Sequence, residues 1–223
     1  MQPETMSPEI EINVAPEPVL DAAGYQALTG VTDVQLADLS RYQELLAEWN
    51  AVMNLVGPAT IATYWTRHVL DSSQLLELAP KAKTWADLGA GAGLPGVVLA
   101  ILLKDTPGAK VHLVESMAKR CRFLTEVVTA LDLPAQVHNA RAEELNLKVD
   151  VVTARACAPM TKLFGFSWPY LHRGALGLFL KGQDVASELS EAEKAWNFDA
   201  ELRPSQSDPR GRIVQVKRLS RVR

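Results

Sequence analysis

Trp85-Ala-Asp-Leu-Gly-Ala-Gly-Ala-Gly-Leu-Pro-Gly96 is the stretch that decides the fold. An apolar start runs into three glycines at alternate positions, and Pro95 then stands where a helix would begin. Proline suits the first turn of a helix, where its missing N–H is not needed. Glycine accepts positive φ and lets a ligand or another backbone approach closely. The segment therefore predicts a strand, a tight turn and a helix. At the carboxyl end of a strand in an open α/β sheet, such a turn is where ligands bind.

The surroundings carry the same pattern. Short apolar runs at Thr84–Leu88, Lys110–Val114, Ala135–His138, Asp150–Thr153 and Ala175–Leu180 read as strands. Helical spacing separates most of them, at Pro95–Leu103, Met117–Leu131 and Met160–Leu171. This alternation predicts a doubly wound, Rossmann-like α/β sheet, mainly parallel. Phe198–Leu202 and Arg212–Val216, joined by a Pro/Ser/Asp/Gly segment, predict a closing antiparallel pair. Upstream, Leu36, Leu39, Tyr42, Leu45, Leu46, Trp49, Met53 and Leu55 follow helical spacing, and a second helix is expected over Thr60–Leu78. The expected organisation is an acidic, disordered lead-in at 1–33, a helical extension at 34–79 and the sheet domain at 80–223.

Composition narrows the function classes. The longest apolar run, Val97–Leu103, is too short to span a bilayer. Residues 1–20 contain no Lys or Arg and so lack the basic start of a signal peptide. Cys121 and Cys157 have no framework spacing, which fits a reducing cytoplasm. A soluble cytoplasmic monomer is expected. The net charge of −3 is unevenly spread: residues 1–40 hold seven acids and no Lys or Arg, so the rest of the chain is net +4. That excess is compatible with RNA as a partner without requiring it.

Two cofactors compete for the glycine turn. Gly91-x-Gly93-x-x-Gly96 satisfies the dinucleotide fingerprint, and Glu115 follows at about the spacing of a ribose-binding acid. Asp87 favours S-adenosylmethionine, which brings no pyrophosphate but carries an α-ammonium that a nearby carboxylate can hold. Glu115, at the end of the next strand, can accept both ribose hydroxyls. The backbone at Ala142 and Glu143, after the third strand, is placed to read an adenine edge.

Cations gather where local rules disfavour them. With Ser116 as N-cap, Lys119 and Arg120 fall in the first turn of a helix, beside the positive end of its dipole. Arg155 and Lys181 follow the ends of their strands, so all four are expected on one rim, as a phosphate backbone would require. Arg67-His68-x-x-Asp71-Ser72 places Arg67 near Asp71 and His68 near Ser72 by helical spacing. His68 is not expected to ligate a metal, since no His/Cys/Asp cluster has ligand spacing. The five tryptophans read as core or partial core, and Cys157 as a small buried residue.

Absences bear on the acceptor atom. No Asp/Asn-Pro-Pro-Tyr/Phe segment follows the fourth strand, where Thr153-Ala-Arg-Ala-Cys-Ala-Pro159 stands instead. An acceptor with a free lone pair, such as guanine N7, has no proton to lose and needs alignment rather than a base.

These residues together resemble the bacterial small-subunit rRNA guanine-N7 methyltransferase family RsmG, also called glucose-inhibited division protein B. The resemblance runs from about Tyr42 to Val216. It rests on the order and spacing of Trp49-Asn-x-x-Met-Asn-Leu55, Arg67-His-Val-Leu-Asp-Ser72, Asp87–Gly96, Glu115-Ser-x-x-Lys-Arg120, Ala154-Arg-Ala156 and Leu180-Lys-Gly182. It implies S-adenosylmethionine contacts at Gly89, Leu94, Ala142, Glu143 and Arg155, with Glu115 on the ribose. It also implies methylation of one guanine N7 in 16S rRNA of the small ribosomal subunit or its precursor. Val56-Gly57 departs from the polar or small residue expected after Asn54-Leu55.

The expectation is therefore that Asp87, Gly89, Gly91, Gly93, Leu94, Glu115, Ala142 and Glu143 hold the cofactor, with no general base. Arg155 is assigned to the boundary between cofactor and acceptor, and Arg67, His68, Lys119, Arg120 and Lys181 to RNA. The competing readings are a small-molecule methyltransferase, an NAD-dependent oxidoreductase and a non-catalytic RNA-binding protein.

Overall fold

The computed structural model describes residues 19–222; the first 18 residues of the expected lead-in lie outside the described residues. The remainder of that lead-in corrects the expectation of disorder. Helix α1 (Ala22–Thr29) starts where Asp21 accepts the Gly24 N–H at 2.7 Å and stops at Gly30, whose φ is 70°. Tyr25 drives the segment into order by burying its ring fully, 5.6 Å from that of Trp65. Helix α2 (Asp33–Asn50) opens on a reciprocal capping box between Thr32 and Gln35 and buries Leu39, Tyr42, Leu45 and Leu46.

The expected helix over Thr60–Leu78 is broken. Short turns α3 (Pro58–Ile61), α4 (Asp71–Ser73) and α5 (Leu75–Leu78) flank a π-helical turn at Trp65–Leu70. The wider turn buries Trp65, His68, Val69 and Leu70 together while Arg67 stays exposed. Such local widening is common where a helix carries function.

Strands β1 (Thr84–Leu88), β2 (Lys110–Glu115), β3 (Ala135–Asn139), β4 (Val151–Arg155), β5 (Leu176–Lys181), β6 (Trp196–Pro204) and β7 (Arg212–Arg221) form one sheet in the order β3-β2-β1-β4-β5-β7-β6. The first five are parallel, and β7 runs antiparallel to both β5 and β6. The order reverses between β1 and β4, so a crevice opens beyond the carboxyl ends of those two strands. Helices α6 (Gly96–Leu102) and α7 (Ala118–Ala130) cover one face, under the N-terminal helices. One apolar cluster runs from Tyr25 to Ile213 through this side, so helices and sheet share a core. Helix α8 (Met160–Leu171) and α9 (Val185–Ala192), the latter not foreseen, cover the other face with a second cluster around Phe164 and Phe179. No helix among the described residues is long and apolar enough to cross a membrane.

If α1 belongs to the fold, Tyr25→Ala removes a fully buried aromatic and costs about 3–5 kcal/mol in urea unfolding. A loss under about 0.5 kcal/mol would mean that the segment is a loose lead-in after all.

Candidate functional site

Two hollows open at the carboxyl rim, on either side of the glycine turn. The turn hangs from the sheet. Gly89 and Ala90 both donate to the Val114 carbonyl, at 2.9 and 3.0 Å. The Gly91 N–H meets the Glu115 carboxylate at 3.0 Å. Gly89, Gly91 and Gly93 all have positive φ (68°, 55° and 85°), a region that L side chains rarely adopt. At Gly89 a Cβ would also lie 2.6 Å from Cys157 Sγ, so the backbone there has been brought against its neighbour.

Asp87 closes the turn from beneath. Its side chain is fully buried, and Oδ2 accepts the Gly96 N–H at 2.8 Å. Oδ1 is buried without a partner. Burial outweighs the Gly96 N–H and the Arg155 charge and lifts the Asp87 carboxyl to about pKa 7, with Glu115 adding to the rise. A buried acceptor left open in this way lacks only a donor.

Glu115 is also nearly buried. Its carboxylate takes the Gly91 N–H on one oxygen and the Met117 N–H, at 2.8 Å, on the other. That second bond corrects the expected N-cap: α7 begins after Met117, and Ser116 makes no cap. Lys119 and Arg120 still fall in its first turn, where the Glu115 carboxylate, 3.8 Å from Arg120, partly offsets the positive end of the helix dipole.

The smaller hollow, of about 120 Å³, lies between Gly89, Ser116, the Ala140–Glu143 backbone, Cys157 and Phe166. Ala142, Glu143 and Gly89 thus meet here, as does Phe166, an aromatic wall that sequence spacing within α8 did not single out. Leu94 is buried in the N-terminal face of the core. Cys157 is half-buried, and burial with Asp87 and Glu115 nearby pushes its thiol up.

The larger cleft, of about 480 Å³, brings Arg67, His68, Arg155 and Lys181 together, along with Asp71, Glu188, Asp208 and Arg212. Lys119 and Arg120 are not in it; they stand on the other side of the turn, so the four expected rim cations divide into two pairs. The helical pairings expected around Arg67 are also replaced. Arg67 forms an ion pair with Asp208 from the β6–β7 hairpin tip, while Asp71 meets Arg155 at 3.2 Å. Ser72 donates to the His68 carbonyl rather than to its ring. The π turn rotates these side chains away from simple i,i+4 geometry.

Asp71 is the hub of the cleft. One oxygen accepts the hydroxyl of Ser207 at 2.6 Å, the other faces Arg155, and the side-chain Oε1 of neighbouring Gln74 accepts the Gln206 N–H at 2.8 Å. The hairpin tip is thereby tied to the N-terminal helices across more than 130 residues of chain. Lys181 lies 2.6 Å from Glu188, which also accepts the Met160 N–H that opens α8. In β5–β7 pairing Lys181 stands opposite Arg212, so two cations face the cleft abreast.

Arg155 is held on three sides. Nη1 donates to the Arg67 carbonyl at 2.8 Å and to Asp71, and Nη2 lies 3.1 Å from His68 Nδ1. The Thr60 hydroxyl donates to the Gly57 carbonyl at 2.7 Å and so accepts from His68 Nε2 at 3.0 Å, which puts the ring proton on Nε2 and turns the Nδ1 lone pair towards Arg155, with the Arg67 carbonyl also 3.1 Å from Nδ1. Burial and the Arg155 charge push the imidazole down to about pKa 4, which keeps it neutral. Among the described residues no three His, Cys, Asp or Glu side chains are grouped to hold a metal ion.

Comparison with known proteins places the chain among relatives. A family model described as rRNA small subunit methyltransferase G (GidB) matches residues 35–208. A ribosomal RNA small subunit methyltransferase G from Caulobacter vibrioides is 76% identical over 218 residues, 98% of this chain and 100% of the relative. Another, from Caulobacter sp. strain K31, is 69% identical and covers 95% of this chain and 98% of its own length. Among solved structures, the O-methyltransferase TomG from Streptomyces achromogenes superposes with a TM-score of 0.57 at 12% identity, over 88% of this chain and 95% of that one. At that identity the likeness is one of fold.

His68 gives the site a pH signature. The unfolded imidazole titrates near 6.5, whereas the folded one resists protonation down to about 4. Stability is therefore untouched by this group above pH 6.5 and falls as pH drops towards 4, by up to about 1.4 kcal/mol per unit. His68→Gln keeps a donor for Thr60 and an acceptor for Arg155 without the titration. Urea unfolding at pH 5 and pH 7 should show a smaller acid loss in the variant; equal losses in both proteins would mean that His68 is not held neutral.

Proposed function

The chain belongs to the rRNA small subunit methyltransferase G family, and from that premise we propose that it transfers a methyl group from S-adenosylmethionine to N7 of one guanine in 16S rRNA, within the small ribosomal subunit or its precursor. The observation that carries the cofactor half is Asp87 Oδ1, buried and without a partner at the glycine turn. A ligand ammonium, directly or through one water, supplies the donor that this oxygen lacks. The Gly89–Gly93 backbone leaves room for the ligand, Glu115 accepts the ribose hydroxyls on its remaining lone pairs, and the Ala142–Glu143 backbone meets the adenine beside Phe166.

When bound, the cofactor supplies an electrophilic methyl group on sulfur. The work left to the protein is alignment and exclusion of water. Guanine N7 offers a lone pair and holds no proton, so no side chain has to act as base. This agrees with a cleft whose one imidazole is committed to Arg155 and Thr60. Arg155, braced by Arg67, His68 and Asp71, stands between the turn and the cleft and orients the acceptor. Arg67, Lys181 and Arg212 line a cleft suited to a phosphate backbone, and Lys119 and Arg120 extend that charge beyond the turn. This favours RNA over a small neutral metabolite as acceptor.

Incubating the protein with radiolabelled S-adenosylmethionine and small subunits from cells lacking the gene tests the reading. One labelled guanine is expected, with strand scission there under the base-elimination chemistry specific to 7-methylguanine. Label at another atom, or on a soluble metabolite alone, would refute the acceptor assignment.

Asp87 makes a second, independent expectation. Its carboxyl is neutral below about pH 7 and ionised above it, and only the ionised form attracts an ammonium. S-adenosylhomocysteine should bind more weakly as pH falls from 7.5 to 6, approaching about tenfold per unit. Asp87→Asn should bind weakly with no such slope. A wild-type profile as flat as that of the variant would remove Asp87 from the cofactor site.

A further inference from the structure

Two fully or nearly buried tyrosines, one from each face of the sheet, end on the two loops assigned to the cofactor. Tyr42 rises from α2 and donates its hydroxyl to the Ala92 carbonyl inside the glycine turn. Tyr170 rises from α8 and donates to the Ala142 carbonyl at 2.9 Å. We propose that Tyr42 and Tyr170 are positioning residues for S-adenosylmethionine, Tyr42 setting the loop that meets its methionine end and Tyr170 the loop that meets its adenine. This rests on the cofactor reading given above.

The argument runs through the peptide plane. A carbonyl and the N–H of the next residue belong to one rigid trans unit and point in opposite directions. Fixing the Ala142 carbonyl on the Tyr170 side therefore turns the Glu143 N–H away from α8. That N–H donates to no protein atom among the described residues, and Ala142 and Glu143 both line the small hollow. A free donor held in a fixed direction there can read the acceptor edge of a purine. Without the tyrosine bond the Ala142 carbonyl keeps only the Leu145 N–H, at 3.3 Å, within a three-residue 3₁₀ turn that leads into irregular chain.

The glycine turn has the same need. Its glycines gain conformational freedom at the cost of stiffness. Gly89, Ala90 and Gly91 are tied to β2 through Val114 and Glu115. The Ala92–Gly93 peptide is tied instead to the Ala90 carbonyl on its N–H side and to Tyr42 on its carbonyl side. A Cβ on Gly93 would lie 3.1 Å from the Tyr42 hydroxyl, so the turn is packed directly onto that group. Burial pushes the Tyr170 hydroxyl up to about 12 and that of Tyr42 higher, so both remain protonated donors at any working pH.

Tyr64 supplies the control. It is as buried as Tyr42 and packs edge-on against it at 6.1 Å, but its hydroxyl donates to Leu39 within α2 and touches neither loop. The Phe variants of all three tyrosines keep the ring and lose one buried hydrogen bond, so their melting temperatures should fall by similar amounts. Calorimetric titration with S-adenosylhomocysteine and with adenosine then separates position from stability. Tyr170→Phe should weaken both ligands by the same factor, about tenfold, because both carry the adenine. Tyr42→Phe should weaken S-adenosylhomocysteine about tenfold and adenosine by less than about twofold. Tyr64→Phe should change neither by more than about twofold. Equal losses in all three variants, or unchanged constants in Tyr42→Phe and Tyr170→Phe, would overturn the inference while leaving the cofactor reading intact. A wild-type protein that binds neither ligand would overturn the cofactor reading and the inference with it.

Discussion

A carboxylate with no solvent around it holds the rim of this sheet together. Asp87 ends β1 inside the core and takes the Gly96 N–H at the start of α6, closing the nine-residue excursion of the turn. The bond needs glycine at its far end: a Cβ on Gly96 would fall 2.7 Å from the accepting oxygen. Placing a carboxyl there is unfavourable, since burial without full pairing costs free energy, and the group responds by holding its proton up to about pH 7. Strain and desolvation of this kind persist where the surrounding structure enforces them, and they concentrate at functional sites. Here the enforcement comes from β2 through Glu115 and from α2 through Tyr42.

The second hollow is built on the opposite plan. Nothing local determines it. Four separate parts of the chain, namely the π turn, the end of β4, the end of β5 and the β6–β7 hairpin tip, each bring polar side chains to one cleft. Asp71 and Arg155 join the first to the second, and Arg67–Asp208 and Ser207–Asp71 tie the hairpin to the first. The acids neutralise part of the cationic charge and fix where the remainder points. Arg155 then stands rigidly between the turn and the cleft, at the crevice that the reversal in strand order creates. Alignment is what an acceptor without a removable proton requires, and rigidity supplies it.

How much of this could be read in advance depended on range in sequence. The five parallel strands, α7 and α8 came from local periodicity, and β1 has the bounds that the apolar run predicts. The glycine turn is equally local. Helix α1 was hidden because it is short and rich in small residues, and Tyr25 alone among its side chains is buried. Its partner Trp65 lies 40 residues on. Helix α9 is short and half polar, a pattern shared with loops. The broken second helix carries good helical spacing throughout, and only tertiary packing selects the π turn. The cleft was the least legible part: Arg67 and Asp208 are 141 residues apart, and Arg155 and Asp71 are 84 apart. Helical spacing suggested a nearer partner for Arg67, and the fold chose a distant one. Tyr42 and Tyr170 read as core residues by spacing, and their hydroxyl partners are set by topology alone.

The account stands most directly on Asp87 Oδ1, and a crystal structure of the protein with S-adenosylhomocysteine bound would show that atom with a partner or without one. The account predicts the ligand ammonium, or one ordered water held by it, within hydrogen-bonding distance of Asp87 Oδ1, with the adenine between Ala142 and Phe166. A bound ligand that leaves Oδ1 unpartnered, or that seats its adenine elsewhere, would contradict it.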